Sequence, residues 1–174
     1  MDQLLELSAN ELRAWLLAAQ PGGEQRANWW LGLVQPLETR VNNVALDSGV
    51  RSRWAALSVQ VLEIARAVGA LSDQEVANRL VYLSHAVAAA PGSTVPPALE
   101  PDIAARRSLA NIRLSRAEAL RMAKDWQDRP IDQIRTLRAV KNVLHPLVYL
   151  VDRITDDDVA CEVRSWLEIK DNLP

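Results

Sequence analysis

Hydrophobic side chains recur every three to four positions along nearly the whole chain, which is the spacing of amphipathic helices. A clear example is the series Trp54, Leu57, Val61, Ile64 and Val68, which falls on one face of a helix. No stretch shows sustained alternation of apolar and polar residues between turn signals, so we expect no β-sheet. The pattern predicts an all-α fold, a multi-helix bundle of about six to eight helices.

The starts of three predicted helices share one local motif. A leucine is followed by a serine at positions 7–8, 71–72 and 114–115, and a glutamate stands three residues after each serine. In such a capping box the serine oxygen accepts a backbone N–H of the first turn, while the glutamate accepts the N–H of the serine. The motif predicts helices that begin near residues 9, 72 and 116.

Other local signals predict where helices end or change direction. Gly69 is placed to end the third helix, and Pro36 is expected to kink or divide the second. The apolar run 147–151 predicts the most buried element of the fold. Thr155 is expected to cap the last helix, with the acidic run 156–158 in its first turn. We therefore interpret that run as part of a helix start and not as a metal site.

Residues 90–101 contain four prolines and form the candidate linker. We expect a single helical domain over residues 1–174, in which this stretch is a long surface loop. The alternative is a division into two helical halves, residues 1–89 and 102–174, joined by the proline-rich loop. Each half alone would have a modest core, which favours the single domain.

The composition is that of a soluble globular protein, with 49% hydrophobic and 24% charged residues. No apolar stretch approaches the roughly 20 residues of a membrane-spanning helix, and the N-terminus has no signal-peptide pattern. The single cysteine, Cys161, excludes an intramolecular disulfide, and two histidines are too few for a cysteine–histidine zinc pattern. We expect a cytoplasmic protein that contains no metal and no cofactor. The excess of arginine over lysine, 17 to 3, is typical of a GC-rich bacterial genome.

Positive charge is concentrated in one part of the chain. Residues 104–153 carry 11 basic and 5 acidic side chains, a net charge of +6, whereas the whole chain has a net charge of -2. Helical spacing brings several of these cations onto common faces, which favours a nucleic-acid backbone or an acidic protein surface as partner. In the alternative interpretation, acidic residues elsewhere in the chain neutralise them on the folded surface. The candidate binding residues are Arg106, Arg107, Arg113, Arg135, Arg138 and Lys141.

Trp29 is the candidate aromatic contact for a partner. It lies about 100° around the helix from its neighbour Trp30, which belongs to the inward stripe. The two indole rings therefore point in different directions, and exposed tryptophan is typical of protein–protein hot spots. A wide buried face that holds both rings is the alternative.

Two arginine–histidine pairs resemble the catalytic pair of HEPN ribonucleases, which are small helical domains of bacterial defence and toxin systems. The pairs are Arg79 with His85 and Arg138 with His145. The resemblance implies that the two side chains act together on an RNA phosphodiester. Both pairs depart from the pattern, because Leu80 and Ala139 stand where a polar residue usually follows the arginine, and the second gap is one residue too long. We keep His145 and Arg138 as a catalytic alternative.

These features together favour a non-catalytic protein over an enzyme. We expect a helical interaction or adaptor subunit of a bacterial multiprotein complex, which docks through its arginine-rich face and Trp29. The expected partner is another protein and not a membrane, and a homo-oligomer is an option. The alternative function is a small subunit that binds an RNA or DNA backbone, or a degenerate HEPN-type ribonuclease, in a bacterial defence system. A small-molecule-binding regulator is a third class, for which the sequence offers no recognition helix.

Overall fold

The computed structural model describes residues 7–18, 26–89, 92 and 94–174. Over these ranges the chain forms eight α-helices and no β-strand, which confirms the predicted all-α bundle of six to eight helices. The helices are α1 (Ala9–Ala18), α2 (Arg26–Asn42), α3 (Ser48–Ala67), α4 (Asp73–Ala88), α5 (Pro101–Leu109), α6 (Arg116–Ala123), α7 (Ile131–Leu147) and α8 (Asp157–Lys170). Short 3-10 helices cover Pro97–Leu99, Trp126–Asp128 and Val151–Arg153.

The three predicted capping motifs all lie at helix starts. At Ser8 and Ser72 both hydrogen bonds of the box form, with the serine oxygens accepting the N–H three residues on at 3.3 and 3.2 Å. At Ser115 the oxygen accepts the N–H of Glu118 at 3.2 Å, which is the first half of the box. Local sequence therefore sets where α1, α4 and α6 begin, because the cap satisfies backbone donors that the helix itself leaves free.

Gly69 ends α3 as its position predicts. Its φ of +73° lies in the left-handed region, where a Cβ is unfavourable. The N–H of Gly69 donates to the carbonyl of Arg66 at 3.0 Å, and the N–H of Ala70 donates to that of Ala65 at 2.8 Å. This pair of bonds is the Schellman arrangement, which closes a helix and turns the chain toward the next one.

Pro36 does not divide the second helix, because α2 continues through it to Asn42. A proline inside a helix removes one backbone hydrogen bond. Leu33 and Leu37, on either side of Pro36, are fully buried. Burial of this face holds the helix together across the proline, and the packing outweighs the local preference.

The hydrophobic core consists of two clusters of buried side chains. The first comes mainly from α1 to α4 and includes Trp30 and Leu80. The second comes mainly from α5 to α8 and includes Trp166, together with Val81 of α4. Successive residues 80 and 81 thus face different clusters, so α4 lies between the two parts of the core.

Helices α4 and α7 run side by side in the same direction. Three hydrogen bonds link α4 to α7 and to the turn that follows it, and each joins residues 64 or 65 positions apart. They join Gln74 to the Ala139 carbonyl at 3.2 Å, Asn78 to the Asn142 carbonyl at 3.3 Å, and His85 to the Tyr149 carbonyl at 2.9 Å. A nearly constant offset between the bonded residues means that the two helices are parallel. The C-terminal ends of both helices therefore lie together.

The apolar run 147–151 is not the most buried element of the fold. Leu147 and Leu150 are fully buried, but Val148 and Tyr149 are 43% and 46% exposed. The prediction was wrong because α7 ends at Leu147, and the following turn directs two consecutive side chains away from the core. The exposed pair lies at the end of α7, beside the end of α4.

The start of α8 differs from its prediction by one residue. Asp156, and not Thr155, is the cap, and its side chain accepts the N–H of Val159 at 3.0 Å. The N–H and hydroxyl of Thr155 instead donate to the Asp102 carboxylate, each at 2.9 Å. The N–H of Asp156 donates to the same carboxylate at 2.9 Å, so Asp102 fixes the start of α8 against α5.

Arg51 is a charged side chain that the fold buries. Its guanidinium donates to the carbonyl of Val41 at 2.7 Å and to the carbonyl of Ala86 at 2.8 Å. These carbonyls lie in the last turns of α2 and α4, where a helix has no donors of its own to offer. Arg51 therefore joins the C-terminal ends of two helices from its place at the start of α3.

Candidate binding cleft and tyrosine–histidine patch

An open cleft of about 530 Å³ lies between α2 and α4. We call it the α2–α4 cleft; it is lined by Glu38 and Asn42 of α2 and by six residues of α4 between Glu75 and His85. Residues 75, 78, 79 and 82 recur at helical spacing, so one face of α4 supplies most of the wall. The volume is in the range of small-ligand sites, and all the lining residues except Leu83 carry a polar group.

The polar groups of the cleft leave two acceptors without a donor. The Arg79 guanidinium donates to Oε2 of Glu38 at 2.7 Å. Oε1 of Glu38 and Oδ1 of Asn78 are buried oxygens that no donor reaches from the part of the chain that the structure describes. Buried acceptors in this condition are uncommon, because each loses its hydrogen bonds to water without a replacement. Two acceptors in the lining of the cleft therefore lack donors from the described chain.

The cleft also has an excess of negative charge. Its lining contains two glutamates, Glu38 and Glu75, and one arginine, Arg79. Hydrogen bonds from the backbone and side chain of Ser72, followed by the charge of Arg79, hold the pKa of Glu75 below its ordinary value of 4.5. Glu75 is thus ionised at neutral pH, so a cation is the ligand that the local field favours.

An exposed aromatic surface adjoins the cleft. We define the tyrosine–histidine patch as Tyr82, His85, His145, Val148 and Tyr149, which contains both tyrosines and both histidines of the chain. The ring of Tyr149 is the centre, with centroids 5.9 Å from Tyr82, 5.5 Å from His85 and 6.4 Å from His145. Tyr82 is 45% exposed, similar to Tyr149. Because Tyr82 and His85 also line the cleft, the patch and the cleft form one continuous surface.

The patch is held in place by the parallel packing of α4 and α7. Nδ1 of His85 lies 2.9 Å from the Tyr149 carbonyl, and a carbonyl only accepts, so this nitrogen carries the proton of the contact. The bond fixes the imidazole against the turn that presents Tyr149. Partial burial, and then the neighbouring Tyr149, raise the pKa of Tyr82 above 10, so its phenol is neutral at physiological pH.

Three of the six predicted cationic residues are bound to groups more than 30 positions away in the chain. Arg106 pairs with Asp156, and Arg107 pairs with Glu63. The Arg107 hydrogen bond is the largest influence on Glu63 and lowers the pKa of that carboxyl. The ammonium of Lys141 donates to a backbone carbonyl, that of Leu173, at 2.7 Å. These contacts agree with the interpretation in which the chain neutralises its own basic segment.

The other predicted cations lie apart along the surface. Arg135 is near the start of α7 and lies 3.6 Å from the Asp132 carboxylate one turn away. Arg113 and Arg138 are exposed, and the described residues show no ion pair with either. Arg113 lies between α5 and α6, whereas Arg138 is in the middle of α7. The predicted arginine-rich face therefore retains two open guanidinium groups on different elements.

The arginine–histidine pairs are placed differently from each other. Arg79 and His85 line the same cleft, where Arg79 is already bonded to Glu38. Arg138 and His145 are both exposed on α7, and His145 meets the edge of Tyr149 in the patch. The carboxylates of Glu38 and Glu75, which line the cleft beside Arg79, would repel a phosphodiester there.

Trp29 belongs to a group of three indole rings. Its ring centroid lies 5.1 Å from that of Trp15 and 4.7 Å from that of Trp30, with the second pair nearly perpendicular. Its side chain is half-buried and packs on the first core cluster. Trp29 is therefore partly covered by other rings, and its role as a contact for a partner stays a prediction.

Comparison with protein-family models, with curated proteins and with solved structures finds no match to this chain. Each helix in the described ranges is too short or too polar to cross a lipid bilayer. These ranges also hold no group of three or more His, Cys, Asp or Glu side chains placed to bind a metal ion. The interpretation of the cleft and the patch accordingly rests on the residues that form them.

Sequence reasoning missed most residues of the site. Glu38, Asn78 and Tyr82 could not be singled out from the sequence, because each is an ordinary polar position on an amphipathic helix. One signal was available: a tyrosine and a histidine stand three or four residues apart near the ends of two different helices, at 82 and 85 and at 145 and 149. Only the parallel register of α4 and α7 brings these pairs together.

Proposed function

We propose that this chain is a non-catalytic helical binding module, an adaptor subunit of a bacterial multiprotein assembly, and that it docks a partner protein through the tyrosine–histidine patch. The observation that carries the proposal is the exposure of Tyr82, Val148 and Tyr149 side by side on a rigid helical base. Tyrosine is enriched in protein–protein hot spots, since it offers a large apolar face and a polar tip at low entropic cost.

The rigidity of the patch supports a docking role. His85 is bonded to the carbonyl of Tyr149, and Asn78 is bonded to that of Asn142 about two helical turns earlier. His85 is thus fixed against the turn that presents Tyr149, so this imidazole and the turn lose little conformational freedom when a partner covers them.

The arginine-rich face is a weaker candidate than the patch. Arg106 and Arg107 are paired with carboxylates, and Lys141 is bonded to a backbone carbonyl. A nucleic-acid backbone would have to displace these internal partners to gain its own contacts. The docking surface therefore moves from the arginines and Trp29 to the patch, while the class of function stays as the sequence suggested.

The ribonuclease alternative has weaker support for an electrostatic reason. The pair that shares a cleft, Arg79 and His85, lies beside Glu38 and Glu75. A catalytic arginine for phosphodiester chemistry must offer its donors to the phosphate. Arg79 offers a donor to Glu38 at 2.7 Å, so the cleft favours a cation over an anion.

The test is a comparison of captured partners. The chain and its Tyr149→Ser variant are immobilised and exposed to a nuclease-treated lysate of the source organism. We expect a protein that the unchanged chain retains and the variant loses. With that protein purified, the variant should bind about 30-fold more weakly by calorimetry, the effect of losing a hot-spot tyrosine of roughly 2 kcal/mol.

Val44→Ser is the matched control, since it also replaces an exposed large side chain by serine but lies outside the patch. It should leave the affinity unchanged within about twofold. Equal capture by the Tyr149→Ser variant would contradict the proposal. A chain that self-associates, with a dimer lost in Tyr149→Ser by light scattering, would contradict a foreign partner. RNA cleavage that His85→Ala or His145→Ala abolishes would favour the ribonuclease.

A further inference from the structure

We infer that the α2–α4 cleft binds a guanidinium group, supplied by an arginine side chain of the docked partner. The inference rests on the proposed function for the source of the arginine, but its chemistry follows from the cleft alone. The cleft opens directly beside the tyrosine–histidine patch, because Tyr82 and His85 belong to both. A partner that covers the patch is therefore placed to extend one long side chain into the cleft.

The first argument is the shortage of donors. Oε1 of Glu38 and Oδ1 of Asn78 are acceptors with no donor from the described chain. Glu38 and Asn78 both line the cleft, and the last side-chain torsion of each is broad. A ligand in the cleft would meet these oxygens after a rotation that also moves Oε2 of Glu38 and Nδ2 of Asn78, which are bonded to Arg79 and to the Asn142 carbonyl. A ligand rich in N–H groups would supply what both oxygens lack, whereas a carboxylate or a phosphate has none to give.

The second argument is charge. Glu38 and Glu75 face a single arginine, Arg79, so the lining carries one negative charge in excess. One incoming cation would balance it. Glu75 keeps its charge at neutral pH because Ser72 lowers the pKa of its carboxyl. The cleft is partly screened from solvent by its walls, which strengthens the attraction relative to an exposed pair.

The third argument selects guanidinium over ammonium. The wall includes the ring of Tyr82, the side chain of Leu83 and the imidazole of His85. A guanidinium is planar and weakly hydrated, and it stacks on aromatic faces while its five donors remain available at the edge. An ammonium is compact and strongly hydrated, so it gains less from such a wall. Arg79 already has its guanidinium bonded to Glu38 in the same cleft.

The experiment uses a small probe on the full chain. N-acetyl-arginine methylamide is titrated against the isotope-labelled protein, and the amide signals of the Asn78 and Asn42 side chains are followed by NMR. We expect saturable shifts with a millimolar dissociation constant. The citrulline analogue has the same shape but no charge and should bind at least tenfold more weakly, and the lysine analogue should fall between them.

Glu38→Gln should weaken binding of the arginine probe at least fivefold. Its matched control is Glu63→Gln, because Glu63 is also a half-buried glutamate that pairs with an arginine from another helix. The control should bind the probe as the unchanged chain does. The inference is overturned if the citrulline and arginine analogues bind equally, or if Glu38→Gln and Glu63→Gln have the same affinity for the probe.

The probe separates this inference from the proposed function. Saturable binding of the arginine analogue in the Tyr149→Ser variant, which lacks the docking surface, supports the cleft even if no partner protein is captured. Capture of a partner by the patch together with an unresponsive cleft retains the proposed function and rejects the guanidinium site. A captured partner that loses affinity in Glu38→Gln but not in Glu63→Gln supports both.

Discussion

Arginines at two places on this molecule do different things. On α5, Arg106 and Arg107 each meet a carboxylate from another element, and their charge is used within the fold. In the α2–α4 cleft, Arg79 is also paired, but its partner Glu38 keeps a second oxygen without a donor and Glu75 adds a further carboxylate. The two arginines of α5 are thus neutralised by carboxylates within the fold. The α2–α4 cleft, which comes from the acidic part of the chain, keeps one negative charge without a cationic partner.

The difference teaches how to interpret charge in a sequence. A count along the chain treats every ionised group as available to a partner. In the folded molecule the long arginine side chain reaches carboxylates more than 40 residues away, as Arg107 reaches Glu63. What a partner meets is the charge left after these internal contacts, and that is set by packing.

The largest effect on stability is expected at Arg51, whose guanidinium is buried and bonded entirely within the fold. Replacing it by methionine removes two charge-assisted hydrogen bonds and leaves the carbonyls of Val41 and Ala86 buried without donors. We expect Arg51→Met to lower the free energy of unfolding by about 3 kcal/mol, measured by urea denaturation.

Arg53→Met is the control for this substitution, because Arg53 is exposed on the same helix. It should change the free energy of unfolding by less than about 0.5 kcal/mol. If both variants unfold at the same urea concentration, Arg51 is a replaceable side chain and its buried hydrogen bonds do not hold α2 and α4 together.

An intermediate effect is expected at Asp102, on the α5 side of the comparison. Burial opposes ionisation of its carboxyl, but hydrogen bonds from Asp156 and Thr155 outweigh it and hold the pKa of Asp102 below 3.8. Asp102→Ala removes three hydrogen bonds at the start of α8, so we expect a loss of about 1 kcal/mol at pH 7.

The stabilising effect of Asp102 should depend on pH in one direction. A carboxyl with a lowered folded-state pKa stabilises the fold fully above its unfolded value of about 3.8, and this contribution is lost as the pH falls through the lower folded value. The difference between the unchanged chain and Asp102→Ala should therefore shrink in that acidic range. Asp171→Ala, at an aspartate that is 92% exposed, is the control and should change the free energy of unfolding at pH 7 by less than about 0.5 kcal/mol.

The smallest effects are expected at the paired surface arginines. Arg106→Gln and Arg107→Gln should each change the free energy of unfolding by less than about 1 kcal/mol, because half-exposed ion pairs are weak.

We also expect the chain not to retain generic RNA or DNA at physiological salt. Salt-sensitive binding that falls in Arg113→Gln and Arg138→Gln would instead show that the open arginines hold a nucleic-acid backbone.

Much of the fold could be predicted from the sequence because its signals are local. The serine–glutamate boxes and Gly69 specify backbone hydrogen bonds within a few residues, and these positions begin or end helices as expected. Predictions that depended on a neighbour from elsewhere in the chain were less secure. The segment around Tyr149 was expected to be buried, but its apolar composition does not specify which side chains the turn after α7 directs outward.

The candidate site could not be predicted in the same way. The sequence pointed to Trp29 and to the cations of residues 104–153. The fold packs Trp29 against other rings and pairs Arg106 and Arg107 with carboxylates, whereas Arg113 and Arg138 stay open. The patch depends on α4 and α7 lying parallel, with residues 64 positions apart in contact. The sequence of either helix alone does not predict that its tyrosine and histidine will contact those of the other helix.

By itself, then, the sequence determined that this protein is helical and where several helices begin and end, because caps and amphipathic spacing act through near neighbours. The tertiary structure decided which charged side chains form ion pairs within the fold and which aromatic rings stay exposed to solvent. Those outcomes depend on long side chains and whole helices finding distant partners, and the free energy of such contacts exists only when the chain has packed.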